Sequence, residues 1–348
     1  MGKMVRTILL AGLMLLIVCG GGFASGKGEA TKTAAITIGY CSPELDAFQA
    51  GVMYSVMHYA EQKGWAVISE DANTDPHLQA NQVEYLISLG VKAIVAVPCD
   101  SQAFCASIAK ARQANIPVYT IDRAPVGCKV NMVVQADNEK GGTDSGTEIV
   151  KFLTQKYGSP KGTVLELQGE MAQNVAQLRH KGFIDVMNKY PDIKVTSKPT
   201  HWDSNQFYQD AMDVVGSQAI DAIFLHSDTV GGTPVTQALT QLGKLVPAGQ
   251  PGHIYIAAID GSPNGLDLIR KGSLDQTSSQ PNPDFGILTE YIDKEFKGEK
   301  IEAGPVVKEG ALWSPAKIIE SDVGPMLELS TTDVTKANVD DKRLWGNH

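Results

Sequence analysis

From Ile36 onward, short apolar runs alternate with amphipathic stretches of about a dozen residues, and few folds accommodate that alternation. An apolar run buried on both faces reads as a parallel strand, and the amphipathic stretch after it reads as the helix that covers the sheet. ITIGY is the first such strand. Val52, Met53, Val56, Tyr59 and Ala60 then share one helical face, and WAVIS closes the unit. The series continues with a helix through Val83, Leu86 and Ile87, the strand AIVAV from Ala93, a helix from Ser101, and the strand VYTI ending at Ile121.

A second series begins after Asp137. Helices near Thr143 to Gln155, Asn174 to Asn188, Phe207 to Val215 and Pro234 to Leu242 alternate with TVLEL, KVTS, AIFL and IYIAAI. At about 150 residues per domain, 348 residues suggest two. The fold class is therefore α/β, with two doubly wound parallel-sheet lobes. The halves echo each other: SLGVKAIVAVPCDS resembles QAIDAIFLHSDT, and NIPVYTIDRA resembles GHIYIAAIDGS. Asp100 and Asp122 end strands in the first half, Asp228 and Asp260 in the second. Ligands of open α/β sheets bind beyond the carboxyl ends of strands, so all four carboxylates are predicted on the binding edges.

The N-terminus sets the compartment. Lys3 and Arg6 precede an apolar run from Ile8 to Val18, followed by small residues through Ala24, the layout of a signal peptide spanning residues 1–24. The run is shorter than the roughly 20 residues of a permanent span. Gly22-Phe23-Ala24 suits cleavage before Ser25. Leu16-Ile17-Val18-Cys19 imitates a lipobox, but Val18 is a poor residue before a lipidated cysteine, so lipid anchoring through Cys19 is the second choice. The expected location is the periplasm.

Removing residues 1–24 takes away two basic residues and no acidic ones, leaving 28 Lys and Arg against 39 Asp and Glu. No basic block remains, which argues against a nucleic-acid partner. Neither GxGxxG nor GxxxxGK[ST] occurs, so nucleotide chemistry lacks its usual phosphate cradle. There is no GxSxG elbow, no HExxH helix and no CxxC pair, so neither catalysis nor a metal is predicted, and no cofactor is called for. The glycine pairs at Gly141 and Gly231 read as helix-opening residues. Beyond Cys19, the cysteines are Cys41, Cys99, Cys105 and Cys128. They allow three disulfide connectivities in an oxidising compartment, or buried free thiols.

NIPVYTIDR, ADNEKGG, LELQG followed by RHKGF, IDGSP and QPNPDFG together resemble the ribose-binding branch of periplasmic sugar-binding proteins, the type I substrate-binding components of ABC importers. The resemblance runs from about Ile36 to Val307. It implies two lobes joined by a three-segment hinge, with crossings near Ala136-Asp137, near Gln280-Pro281 and around Pro305 to Lys308. Residues 34–136 plus 281–306 would form the N-terminal lobe, and 137–280 plus 307–348 the C-terminal lobe and tail. The tail would pack across the hinge or the second lobe, with Trp345 as an anchor. Hinge closure would enclose a sugar or polyol.

The same resemblance assigns residues to the ligand. Asp122 and Arg123 of TIDR would bind hydroxyls, the carboxylate accepting and the guanidinium donating. Arg179 of RHKGF would project from the second lobe, Asp260 of IDGSP would end a strand, and Gln280 would lie at the hinge. Phe48 and Trp202 would stack on the apolar face of the ring, and Ser227 stands where the family has Asn.

Departures accompany these matches. The family's NPFF loop reads LDAF here, with Leu45 for Asn and Ala47 for the first Phe, and Cys41 replaces a Ser. These changes put ribose itself in doubt. Glu44 and Asp46 could supply further acceptors, favouring a neutral, hydroxyl-rich ligand over an anion. Under this resemblance a bridge between Cys105 and Cys128 is the preferred pairing. The chain is expected to act as a monomer that delivers its ligand to an ABC transporter membrane permease. A sensory protein presenting ligand to a chemoreceptor or sensor kinase is the alternative.

Overall fold

The computed structural model describes residues 36–348. The predicted leader and Cys19 lie outside the described residues. In chain order the elements are β1 (Thr37–Ser42), α1 (Ala47–Gln62), β2 (Ala66–Asp71), α2 (Pro76–Ser88), β3 (Ile94–Ala96), α3 (Cys105–Gln113), β4 (Val118–Ile121) and β5 (Met132–Ala136). Next come α4 (Asn138–Tyr157), β6 (Gly162–Gln168), α5 (Asn174–Met187), β7 (Ile193–Pro199), α6 (Ser204–Ser217), β8 (Ala222–Leu225), α7 (Asp228–Gln241), β9 (Tyr255–Asp260), α8 (Pro263–Lys271) and β10 (Gln276–Ser279). A 3₁₀ turn (Asn282–Ile287), α9 (Leu288–Phe296), β11 (Gly304–Val306), β12 (Ala316–Ser321), β13 (Gly324–Leu329) and β14 (Thr332–Thr335) complete the chain.

Two sheets result, in the orders β11-β12-β13-β5-β4-β3-β1-β2 and β14-β10-β9-β8-β6-β7. All pairs are parallel except β11 with β12, β12 with β13, and β10 with β14. Each sheet is buried on both faces, which is why its central strands read as unbroken apolar runs. Along β8, Ala222 and Phe224 enter one core cluster while Ile223 and Leu225 enter another.

The chain passes from the first sheet to α4 after Ala136, and from β10 to the 3₁₀ turn, which packs on α1, after Ser279. The third passage lies at 330–331, not at 305–308. Residues 307–348 were assigned to the second lobe, yet β13 pairs in parallel with β5, Leu327 opposite Val134, so residues through Leu329 complete the first lobe's sheet. Only β14 and the residues after it join the second lobe. Strands β5, β10, β11, β12, β13 and β14 are not among those the sequence pattern predicts. β10 is QTSS, polar residues that are nonetheless buried, so it carries no hydrophobic signal.

The lobes meet across the cleft through direct hydrogen bonds. The amide of Ala124 donates to Asn174 Oδ1 at 2.9 Å, the amide of Asn174 to Ser101 Oγ at 3.1 Å, and Gln173 Nε2 to the Cys99 carbonyl at 3.0 Å. The cleft is therefore closed. Cys105 and Cys128 are disulfide-bonded, fastening the start of α3 to the segment after Arg123. Cys41 and Cys99 are free and buried. Among the described residues no helix is long and apolar enough to cross a membrane.

Candidate functional site

A small cavity, partly continuous with solvent, lies between the lobes. From the first lobe it is lined by Glu44, Asp46, Phe48, Gln49, Asp122 and Arg123. From the second it is lined by Val175, Arg179, Trp202, Ser227, Val230 and Asp260. Seven of the eight residues assigned from the sequence thus reach one space. The eighth, Gln280, stands behind Asp260 rather than on the wall.

Asp122 follows β4 in a left-handed conformation, φ 62°, and Asp260 ends β9 at φ 115°. Non-glycine residues are strained there, and such strain concentrates at functional sites. Asp122 is buried; Gln49 Nε2 donates to its Oδ2 at 2.9 Å, while Oδ1 has no hydrogen-bond partner. Burial raises its pKa, opposed by Arg123 and by the bond from Gln49. Arg123 donates through Nη2 to Glu44 Oε1 at 2.9 Å, and its Nε is unpartnered, 3.6 Å from Asp122 Oδ2. For Arg123 burial works against the charge, but Glu44 and Asp122 outweigh it and hold the guanidinium protonated.

Arg179 is aimed into the cleft because α5 crosses α4 at two glycines. A Cβ on Gly142 would fall 2.1 Å from the Arg179 carbonyl oxygen, and one on Gly182 would fall 2.0 Å from that of Glu139. Gly142 therefore permits close helix packing, a role beyond helix opening. Arg179 Nε donates to Asn138 Oδ1 at 2.8 Å and Nη1 donates to the His226 carbonyl. Nη1 lies 3.5 Å from Asp260 Oδ1, and the guanidinium sits 5.5 Å from the Trp202 ring centre.

Asp260 is the most heavily bonded carboxylate of the site. Gln280 Nε2 donates to Oδ1 at 2.7 Å, and Ser227 and Thr229 hydroxyls donate to Oδ2 at 2.5 and 2.8 Å. Gln280 Oε1 is buried without a partner. Ser227 also caps α7, accepting from the Val230 amide at 3.3 Å. Trp202 is seated by Gly169, where a Cβ would lie within 1.9 Å of the indole, and its Nε1 donates to Gln173 Oε1 at 2.6 Å. Phe48 closes the opposite wall, edge-on to Phe285 and Trp345.

Two of the four strand-end carboxylates do not face the cavity. Asp100 caps the turn that follows it, accepting from the amides of Gln102 and Ala103. Asp228 turns inward, where the amides of Gly261 and Ser262 and the Thr277 hydroxyl donate to it. Burial, reinforced by Asp260, raises its pKa. Glu44 and Asp46 do line the cavity: Glu44 pairs with Arg123, and Asp46 Oδ1 caps α1 by accepting from the Gln49 amide at 2.8 Å. Gln49, Val175 and Val230 were missed. Gln49 looked like one more polar residue on α1, and nothing local signals that it reaches Asp122.

Unpaired acceptors and donors side by side, with rings on two walls, can hold a small molecule rich in hydroxyls and C–H faces. Among the described residues no cluster of His, Cys, Asp or Glu is placed to hold a metal ion.

The periplasmic binding protein domain family matches residues 38–300. The xylitol-binding protein of Mycolicibacterium smegmatis is 28% identical over 295 residues, 84% of this chain and 79% of that protein. The ribose import binding protein of Bacillus subtilis is 29% identical over 309 residues, 87% of this chain and 96% of that protein. A solute binding protein of an ABC transporter from Bacillus halodurans, solved with bound myo-inositol, superposes with a TM-score of 0.75 at 21% identity, covering 90% of this chain and 99% of that one.

Proposed function

Since the chain belongs to the periplasmic binding protein family, whose members are binding proteins of the extracytoplasmic space rather than enzymes, we propose that it captures a sugar or sugar-like polyol between its lobes and delivers it to an ABC transporter permease. Localisation to the periplasm by way of the N-terminal leader, and action as a monomer, belong to the same proposal.

One observation carries it. Asp122 Oδ1 and Arg123 Nε, an acceptor and a donor on adjacent residues, are both buried and unpartnered at a cavity that Asp260 and Arg179 line from the other lobe. A buried polar atom without a partner costs about 1–3 kcal/mol, and vicinal hydroxyls relieve that cost by donating to the carboxylate while accepting from the guanidinium. Trp202 and Phe48 supply apolar walls for the C–H faces of a ring.

Differential scanning calorimetry on protein unfolded and refolded to strip ligand tests the proposal. At a hundredfold excess over Kd a ligand adds about 2.7 kcal/mol, enough to raise Tm by several degrees. The proposal expects such a rise with at least one sugar or cyclitol. Tight binding confined to sugar phosphates or sugar acids would contradict it.

A further inference from the structure

The cavity's charges do not balance. Glu44, Asp46, Asp122 and Asp260 bring carboxyl groups, whereas Arg123 and Arg179 alone bring cations. Both guanidiniums are already engaged, Arg123 with Glu44 at 2.9 Å and Asp122 at 3.6 Å, and Arg179 with Asp260 at 3.5 Å. Among the described residues Asp46 belongs to no ion pair of the cavity. Its one recorded bond there is the helix cap at Oδ1, from the Gln49 amide at 2.8 Å. Independently, Asp122, only 2% exposed, keeps Oδ1 without a partner.

Burial pushes the Asp46 carboxyl up to about 6, with Glu44 and Asp260 adding to the rise while the cap bond and Arg123 oppose it. Crowding of like charges in a closed space is relieved by a cation placed among them. A hydroxyl cannot supply that charge. An ammonium can, with three donors and no acceptor.

Building on the proposed function, we infer that the ligand carries an amino group in place of one hydroxyl, making it an amino sugar or aminocyclitol seated with its amine against Asp46. Its remaining hydroxyls donate to Asp122 Oδ1 and accept from Arg123 Nε. The Arg179 guanidinium and the Trp202 ring complete the enclosure from the second lobe.

Titration calorimetry on the stripped full chain at about pH 7.5, using hexoses paired with their 2-amino-2-deoxy counterparts and myo-inositol paired with an aminocyclitol, tests the inference. At least one amine should bind about tenfold or more tighter than its hydroxyl isostere, the difference between a charge-assisted and a neutral hydrogen bond. In Asp46→Asn that preference should fall toward one. Asparagine still caps α1, so a changed ratio reports charge and not folding.

A wild-type preference of one or below, or an unaltered ratio in Asp46→Asn, overturns the inference and leaves the proposed function standing. Failure of every member of both series to bind overturns the two together.

Discussion

The indole Nε1 of Trp345 donates a hydrogen bond to the main-chain oxygen of Asp260 at 2.7 Å. The same ring stands edge-on to Phe48, centroids 5.8 Å apart at 81°. Asp260 belongs to the second lobe and Phe48 to the first, so one side chain near the C-terminus touches both walls of the cleft. Its segment is fixed to α8. Arg270 donates through Nε to Asp340 at 2.8 Å and through Nη2 to Asn347 Oδ1 at 2.5 Å, and Leu344 is buried. Gly346 lies so close to Gly261 that a Cβ would approach its carbonyl oxygen to 2.5 Å.

Trp345→Ala removes a bond and an aromatic contact that span the lobes when the cleft is closed. Together these are worth on the order of 1–2 kcal/mol, so affinity should fall about tenfold. The loss should appear chiefly as faster release, measured by stopped-flow fluorescence, because the contacts hold the closed form rather than guide the encounter.

Asp122→Asn keeps an oxygen to accept from Gln49 but loses the anionic acceptor facing the cavity. Arg179→Lys loses the fork that serves Asn138 and the His226 carbonyl. Each should weaken ligand binding by about tenfold or more, by calorimetry, since hydrogen bonds to charged groups are worth roughly 1.5–3 kcal/mol. The urea midpoint of ligand-free Asp122→Asn should move little.

Glu166 gives the protein an acid-sensitive centre behind Arg179. It is fully buried, and burial alone would raise its pKa, but bonds with His180, His226 and Ser197 outweigh burial and hold it at about 2. A folded pKa below the unfolded value of about 4.3 stabilises above that value and loses the stabilisation as pH falls toward 2, in all on the order of 3 kcal/mol. Glu166→Gln should therefore lower the urea midpoint at neutral pH and flatten its decline between about pH 5 and 2.

The disulfide between Cys105 and Cys128 closes a loop of sequence separation 23 that contains Arg123. Restricting the unfolded chain over such a loop is worth roughly 3 kcal/mol. Replacing both cysteines with alanine should lower unfolding free energy by about that amount in denaturant titrations. Peptide mass spectrometry without reduction should recover the two residues in one linked fragment.

The βα order and most of the cavity wall were legible because strand-end signatures such as TIDR and IDGSP fix both an element and the position where it stops. Side-chain direction was not. Asp228 follows β8 much as Asp260 closes β9, yet it opens α7 and faces inward to the Gly261 and Ser262 amides, a choice made by the neighbouring loop. Residues 324–329, expected only as part of the second lobe's tail, form β13 in the first lobe because their partner, β5, lies almost two hundred residues earlier, and the register of Leu327 with Val134 leaves no local trace. Gln49 and Asn138 were invisible for a related reason. Each acts through a residue distant in sequence, Asp122 or Arg179.

The central claim is that the two lobes enclose one hydroxyl-rich small molecule against Asp122, Arg123, Arg179 and Asp260. Native mass spectrometry after incubating stripped protein with a mixture of sugars, cyclitols, amino sugars, sugar acids and sugar phosphates tests it most directly. The account predicts a single adduct per chain, drawn from the neutral or amine-bearing compounds and reduced in Asp122→Asn at equal ligand concentration. A chain that stays bare, or that selects an acid or phosphate, would contradict it.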